Sequence, residues 1–100
     1  MATTTKALAR TAAATTSTTL YTVPAATTAV VTNIVIANTG SSAYTWTLTL
    51  DGVSIGTSVS IGANATQVID MKQVLGATKI IAGFASNVAV VFHISGVEIA

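Results

Sequence analysis

Residues Tyr44 to Leu50 alternate without a break, Tyr44, Trp46, Leu48 and Leu50 falling on one side and Thr45, Thr47 and Thr49 on the other. Alternation with period two marks a strand with one buried face. The run leads into Asp51-Gly52, a hairpin signal, because a type I′ turn needs positive φ at both central positions. The return strand is expected from Val53. Upstream, Thr28 to Asn38 reads as a longer strand that is apolar on both faces: Val30, Ile34 and Ile36 on one, Val31 and Val35 on the other. Such a strand is central in a layered core or overlain by a neighbouring subunit. Thr18 to Val23 is a short strand ended by Pro24, which has no N–H for a ladder. Downstream, strands are expected over Ser58–Ile61, Ala65–Asp70, Lys79–Phe84 and Val88–Ile99. Met71 to Leu75 is expected to form one helical turn that Asp70 caps and Gly76 ends. Gly96 is expected to mark a bulge.

Seven to eight short strands separated by turn signals predict an all-β chain, a single small antiparallel β-sandwich or jelly roll. Its expected extent is residues 17–100. The low-complexity, Ala- and Thr-rich residues 1–16 are expected to form an N-terminal arm, and no internal repeat is visible.

Composition changes this picture in one respect. The chain has 100 residues, of which 51% are hydrophobic and 7% charged, against about 25% charged in an ordinary soluble domain. Between Arg10 and Asp51 no acidic or basic side chain occurs. A lone soluble domain usually scatters charges of both signs, so much of this surface is expected to be covered by other protein. Disordered chains are rich in charge and poor in aliphatic residues, the reverse of this one. A net charge of +1 on four basic residues does not suit nucleic acid, which needs several Lys or Arg facing the phosphates. A spanning helix needs about 18–20 nearly continuous apolar residues. The run Ile34–Ala37 is flanked by Asn33 and Asn38, so no membrane partner is expected. The first ten residues are basic, hydroxyl-rich and acid-poor, as transit peptides are, and lack the continuous apolar stretch of a secretory signal. A flexible or partner-bound arm is the expected role. With no cysteine, the fold has no disulfide and no thiolate metal site.

Catalytic groups are scarce. His93 is the one histidine, and Asp51, Asp70 and Glu98 are the three acids. A triad would have to join His93 to Asp70 or Glu98, and no Gly-x-Ser-x-Gly elbow is present. His93 is out of phase with Phe92 and Ile94, which sends it to solvent or to a partner. Asp51 belongs to the hairpin turn. One His and no Cys leave no metal-ligand spacing, and the glycines stand singly at turns rather than in a phosphate loop. No enzyme activity and no cofactor are expected. Tyr44 and Trp46 share a face with leucines and are expected in the core rather than in a platform for carbohydrate or nucleobase; Tyr21, just before Val23-Pro24, suits either role.

The segments Leu20-Tyr-Thr-Val-Pro24-Ala, Thr27-Thr-Ala-Val-Val-Thr-Asn33-Ile, Ala37-Asn38-Thr-Gly40 and His93-Ile-Ser-Gly96-Val-Glu98 resemble small β-sandwich virion proteins of tailed bacteriophages. These occur as capsid decoration (cement) proteins or as tail-associated proteins. The resemblance covers Thr16 to Ile99. It implies a non-enzymatic protein of the virion that binds the capsid surface as a homo-oligomer, a trimer favoured, and holds the shell together. The alternative is a tail-associated or fibre-base structural or adhesion protein. Implied partners are further copies of itself and the major capsid protein or tail proteins. The N-terminal arm is then a contact element that adds to a neighbouring sheet edge, with Lys6 and Arg10 as anchors, Leu8 as the apolar contact, and Tyr21 beside them.

Overall fold

In the computed structural model, which describes residues 3–100, eight strands follow one another: β1 (Thr3–Ala12), β2 (Thr18–Thr22), β3 (Thr28–Asn38), β4 (Tyr44–Leu50), β5 (Val53–Ile61), β6 (Thr66–Leu75), β7 (Ile80–Ala85) and β8 (Val90–Ile99). They form two four-stranded antiparallel sheets, ordered β1-β8-β3-β6 and β2-β7-β4-β5. The pairings β1 with β8, β2 with β7, β3 with β6 and β4 with β5 set the first half of the chain against the second in reverse order. The strands thus behave as one long hairpin rolled up, and β3–β8 and β4–β7 pairing closes the two sheets. This is the jelly-roll form of the β-sandwich, as the strand count and spacing predict.

The core lies between the sheets. Ile34, Ile36, Phe92 and Ile94 enter it from the first sheet, and Trp46, Leu48 and Ile81 from the second. Each such side chain contributes about 1.5–3 kcal/mol relative to exposure. Asn38 is buried among them without cost, because Nδ2 donates to the Ser42, Ile61 and Gly62 carbonyls and Oδ1 accepts from the Gly40 N–H at 2.9 Å. Asp51 and Gly52 take φ values of 52° and 75°, the two positive angles that the β4–β5 hairpin requires.

Four expectations change. β3 is apolar on both faces for a local reason: between Val31 and Asn33 its register slips past Thr32. A β-bulge of this kind reverses the alternation, so Ala29 and Val31 point inward before it and Ile34, Ile36 and Asn38 after it. Val30 therefore faces away from Ile34, not with it. Next, Met71 to Leu75 forms no helical turn and Asp70 caps nothing. These residues continue β6, where Met71 and Lys72 sit opposite Thr32 in the same slip. At Gly96 the β8 strand runs straight through, and the bulges belong to its neighbours, at Leu8 in β1 and Thr32 in β3. A Cβ at Gly96 would lie 2.3 Å from the Val30 carbonyl oxygen, so glycine lets β3 come close.

The fourth change concerns residues 1–16. Residues 1 and 2 lie outside the described residues. Thr3–Ala12 is not an arm but β1, the edge strand of the first sheet, and the chain crosses to the second sheet at Ala13-Ala14. There the Ala13 N–H donates to the Val90 carbonyl, and the Ala14 carbonyl accepts from the Ala85 N–H. The strand hid in the sequence because only Leu8 is buried in it, and the bulge falls on that same residue. Period-two alternation never develops.

Candidate functional site

β1 and β8 lie side by side, and Lys6 pairs in register with Gly96. Gly96 shares its phase with the buried Phe92 and Ile94, so Lys6 and Glu98 project between the sheets at one end of the sandwich. There Lys6 Nζ lies 3.3 Å from both carboxylate oxygens of Glu98. Tyr21, from β2 of the opposite sheet, donates its hydroxyl to Glu98 Oε2. Burial raises the Tyr21 phenol well above its usual pKa, and the Glu98 hydrogen bond and negative charge push it the same way. For Glu98 the Tyr21 hydroxyl is the largest influence and lowers its pKa; partial burial opposes this, and Lys6 lowers it further. The carboxylate is thus held ionised between two donors. This is a clamp across the sheets, suited to fixing the end of the sandwich rather than to proton transfer. A second polar link crosses near the other edge, where Trp46 Nε1 donates to Gln67 Oε1 at 2.9 Å and Gln67 Nε2 donates to the Ser60 carbonyl.

Of the four contact residues expected from the sequence, Lys6 and Tyr21 come together through Glu98. Leu8 does not join them as a surface contact. It is 8% exposed and belongs to the core cluster, since the bulge turns it inward. Arg10 faces outward and exposed, opposite His93. Glu98 was missed as a site residue, although its phase with Phe92, Ile94 and Gly96 was visible in the sequence. Gln67 was missed too, and its inward phase with Ile69 was the available signal. His93 is exposed, as its phase predicted. Asp51 pairs with Lys79 at 3.8 Å beside the hairpin. Among the described residues, no three His, Cys, Asp or Glu side chains gather into a metal-binding group. An open depression of about 550 Å³ lies at the β3–β6 slip, lined by Thr32, Asp70, Met71 and Lys72.

The broad surfaces are the two outer sheet faces. On the first sheet, successive rungs read Ala12, Val91, Ala37, Thr66; Arg10, His93, Val35, Val68; Ala7, Ser95, Asn33, Asp70; and Thr5, Val97, Val30, Val74. Val68 and Val74 are 61% and 67% exposed. On the second sheet the middle of the outer face is a column of Thr45, Thr47 and Thr49, with Phe84 and Ala82 alongside.

The same architecture occurs in a solved structure of infectious bursal disease virus, Gx strain. It matches 97% of this chain with a TM-score of 0.53 at 13% identity. This chain spans 32% of the length of that neighbour, and the likeness is one of fold. No protein-family model matches the sequence, and no curated protein matches it.

Proposed function

We propose that the chain is a non-enzymatic structural protein of a virion, a capsid decoration protein that binds the shell as a homo-oligomer and stabilises it. The observation that carries this reading is a jelly roll over the whole described chain, its fold shared with a virus structure, with a charge-free column of threonines on the outer face of the second sheet. Jelly rolls build viral capsid domains, and also lectins. A lectin needs exposed aromatic platforms for sugar rings. Here Trp46, Phe92 and Tyr21 are buried, Tyr21 bound to Glu98, Tyr44 packs half-buried against the core, and Phe84 stands as a single half-buried ring on the outer face of the second sheet. The resemblance to tailed-phage virion proteins supports the choice of a phage particle and of the capsid surface. It leaves the tail-associated role as the competing outcome of the same test.

That test mixes the purified chain with heads and, separately, with tails of the phage that encodes it, and sediments each. Co-sedimentation with heads, and a higher temperature at which loaded heads release DNA, is the expected result. Binding to tails alone would move the protein to the tail. Binding to neither would overturn the virion role. Because Thr3–Ala12 is a strand of the domain, the contribution of Arg10 is tested by Arg10→Ala rather than by deleting the first residues.

A further inference from the structure

An antiparallel sheet commonly solvates its outer face with polar side chains. The first sheet does so only in part: its two central strands, β8 and β3, carry Val91, Val97, Val30 and Val35 outward between His93, Ser95 and Asn33. We propose that this face is covered by a second copy of the same chain, packed face to face about a two-fold axis that runs along the strands between β8 and β3. The inference deepens the structural-protein reading and rests on it for the claim that the chain works by packing against protein.

Three observations select a second copy as the occupant. The axis carries β8 of one copy over β3 of the other. Each rung then meets itself, Val97 over Val30, Val91 over Ala37, Ser95 over Asn33 and His93 over Val35, and each contact occurs twice, so the surface is self-complementary, as an isologous contact requires. The same operation carries β1 over β6. The outward rungs bear two formally charged residues, Arg10 on β1 and Asp70 on β6, with Lys72 in the slip between rungs. Opposite charges therefore sit on opposite edges, one rung apart, about 7 Å along the strands and within reach of an arginine side chain. Size fits as well. Four strands about 4.8 Å apart and about 33 Å long give about 600 Å² per copy, or about 1,200 Å² for a pair, which reaches the range of specific interfaces. A two-fold pair is a different assembly from the trimer that the phage resemblance implies.

Sedimentation equilibrium and light scattering of the full chain over a concentration series test the pairing. The expected mass is twice the 10.0 kDa of one chain. Val35→Lys is expected to raise the dissociation constant by about 100-fold with an unchanged circular dichroism spectrum, and Thr47→Lys on the opposite face to leave it unchanged. Arg10→Asp is expected to weaken the pair, and Asp70→Arg added to it to restore it. A chain monomeric at every concentration, a stable trimer, or a dimer indifferent to Val35→Lys and to the charge swap would overturn the proposal. A monomer that still binds heads would overturn the pairing and leave the virion role standing. A dimer broken by Val35→Lys that binds neither heads nor tails would support the pairing and overturn the virion role.

Discussion

On the outer face of the first sheet, β8 and β3 present Val91, Val97, Val30 and Val35; on the outer face of the second, β4 presents Thr45, Thr47 and Thr49. Valine and threonine have nearly the same shape and the same stiffness at χ1, so both suit a pleated surface. They differ in what water sees. Two of the three β4 hydroxyls are engaged by backbone of the same sheet: Thr47 Oγ1 accepts from the Ser58 N–H, and Thr49 Oγ1 donates to the Ala82 carbonyl. The valines of the first sheet add nothing to the core, which lies on the other side of their strands, and with Val68 and Val74 they leave apolar patches at both ends of a face whose middle carries His93, Ser95 and Asn33. Strand propensity alone would be served equally by either residue. The choice of valine on one face and threonine on the other therefore points to different surroundings for the two.

The strongest perturbations should show that the sheets are equally tight inside. Gly96→Ala would bring a Cβ to 2.3 Å from the Val30 carbonyl oxygen, and Gly83→Ala one to 2.6 Å from the Thr47 carbonyl oxygen. Backbone cannot step aside as a side chain can, so each is expected to cost about 3 kcal/mol, read as the shift of the urea midpoint. A large loss in one sheet and none in the other would mean that the asymmetry reaches the interior.

A smaller, pH-dependent effect tests the clamp between the sheets. The Glu98 pKa is lowered in the folded protein from a reference of 4.5. The stability it confers is therefore fully present above that reference and is lost as pH falls through the folded value. Tyr21 is raised from 10.0, so its contribution is lost above about pH 10. Thermal melts of Glu98→Gln and Tyr21→Phe across pH should show a flatter acid limb for the first and a flatter alkaline limb for the second. Parallel curves would contradict the clamp.

The smallest effects belong to the outer faces and edges of the isolated monomer. Val35→Thr and Thr47→Val should each change monomer stability by about 0.5 kcal/mol or less, and so should Lys79→Ala, which breaks the exposed 3.8 Å pair with Asp51. Replacing Thr45, Thr47 and Thr49 together by valine should give the second sheet a more apolar face and raise the association of the chain. Light scattering would detect it.

Much of the fold could be read from residues because side-chain alternation is a local signal. The bounds of β4 came from it directly; those of β3 came from a run of aliphatic residues between polar turns, and the hairpin from the Asp51-Gly52 pair. The failures cluster at bulges, where partner strands decide the register and a single chain gives no hint of them. Leu8 in β1, Thr32 in β3 and Met71-Lys72 in β6 all lie at such slips. The apolar outer face was visible as β3 being apolar on both sides, but its cause, a reversal of phase at Thr32, was not. Of the end clamp, Lys6 and Tyr21 were singled out for other reasons, and Glu98, which joins them, shows its role only when the two sheets are laid together.

Whether the two outer faces meet different surroundings can be read by methyl NMR with a soluble paramagnetic probe at rising protein concentration. The methyls of Val30, Val35, Val91 and Val97 are expected to be bleached when dilute and to become protected as concentration rises, while those of Thr45, Thr47 and Thr49 stay bleached throughout. Equal bleaching of both sets at every concentration, or protection of the threonines first, would contradict this difference.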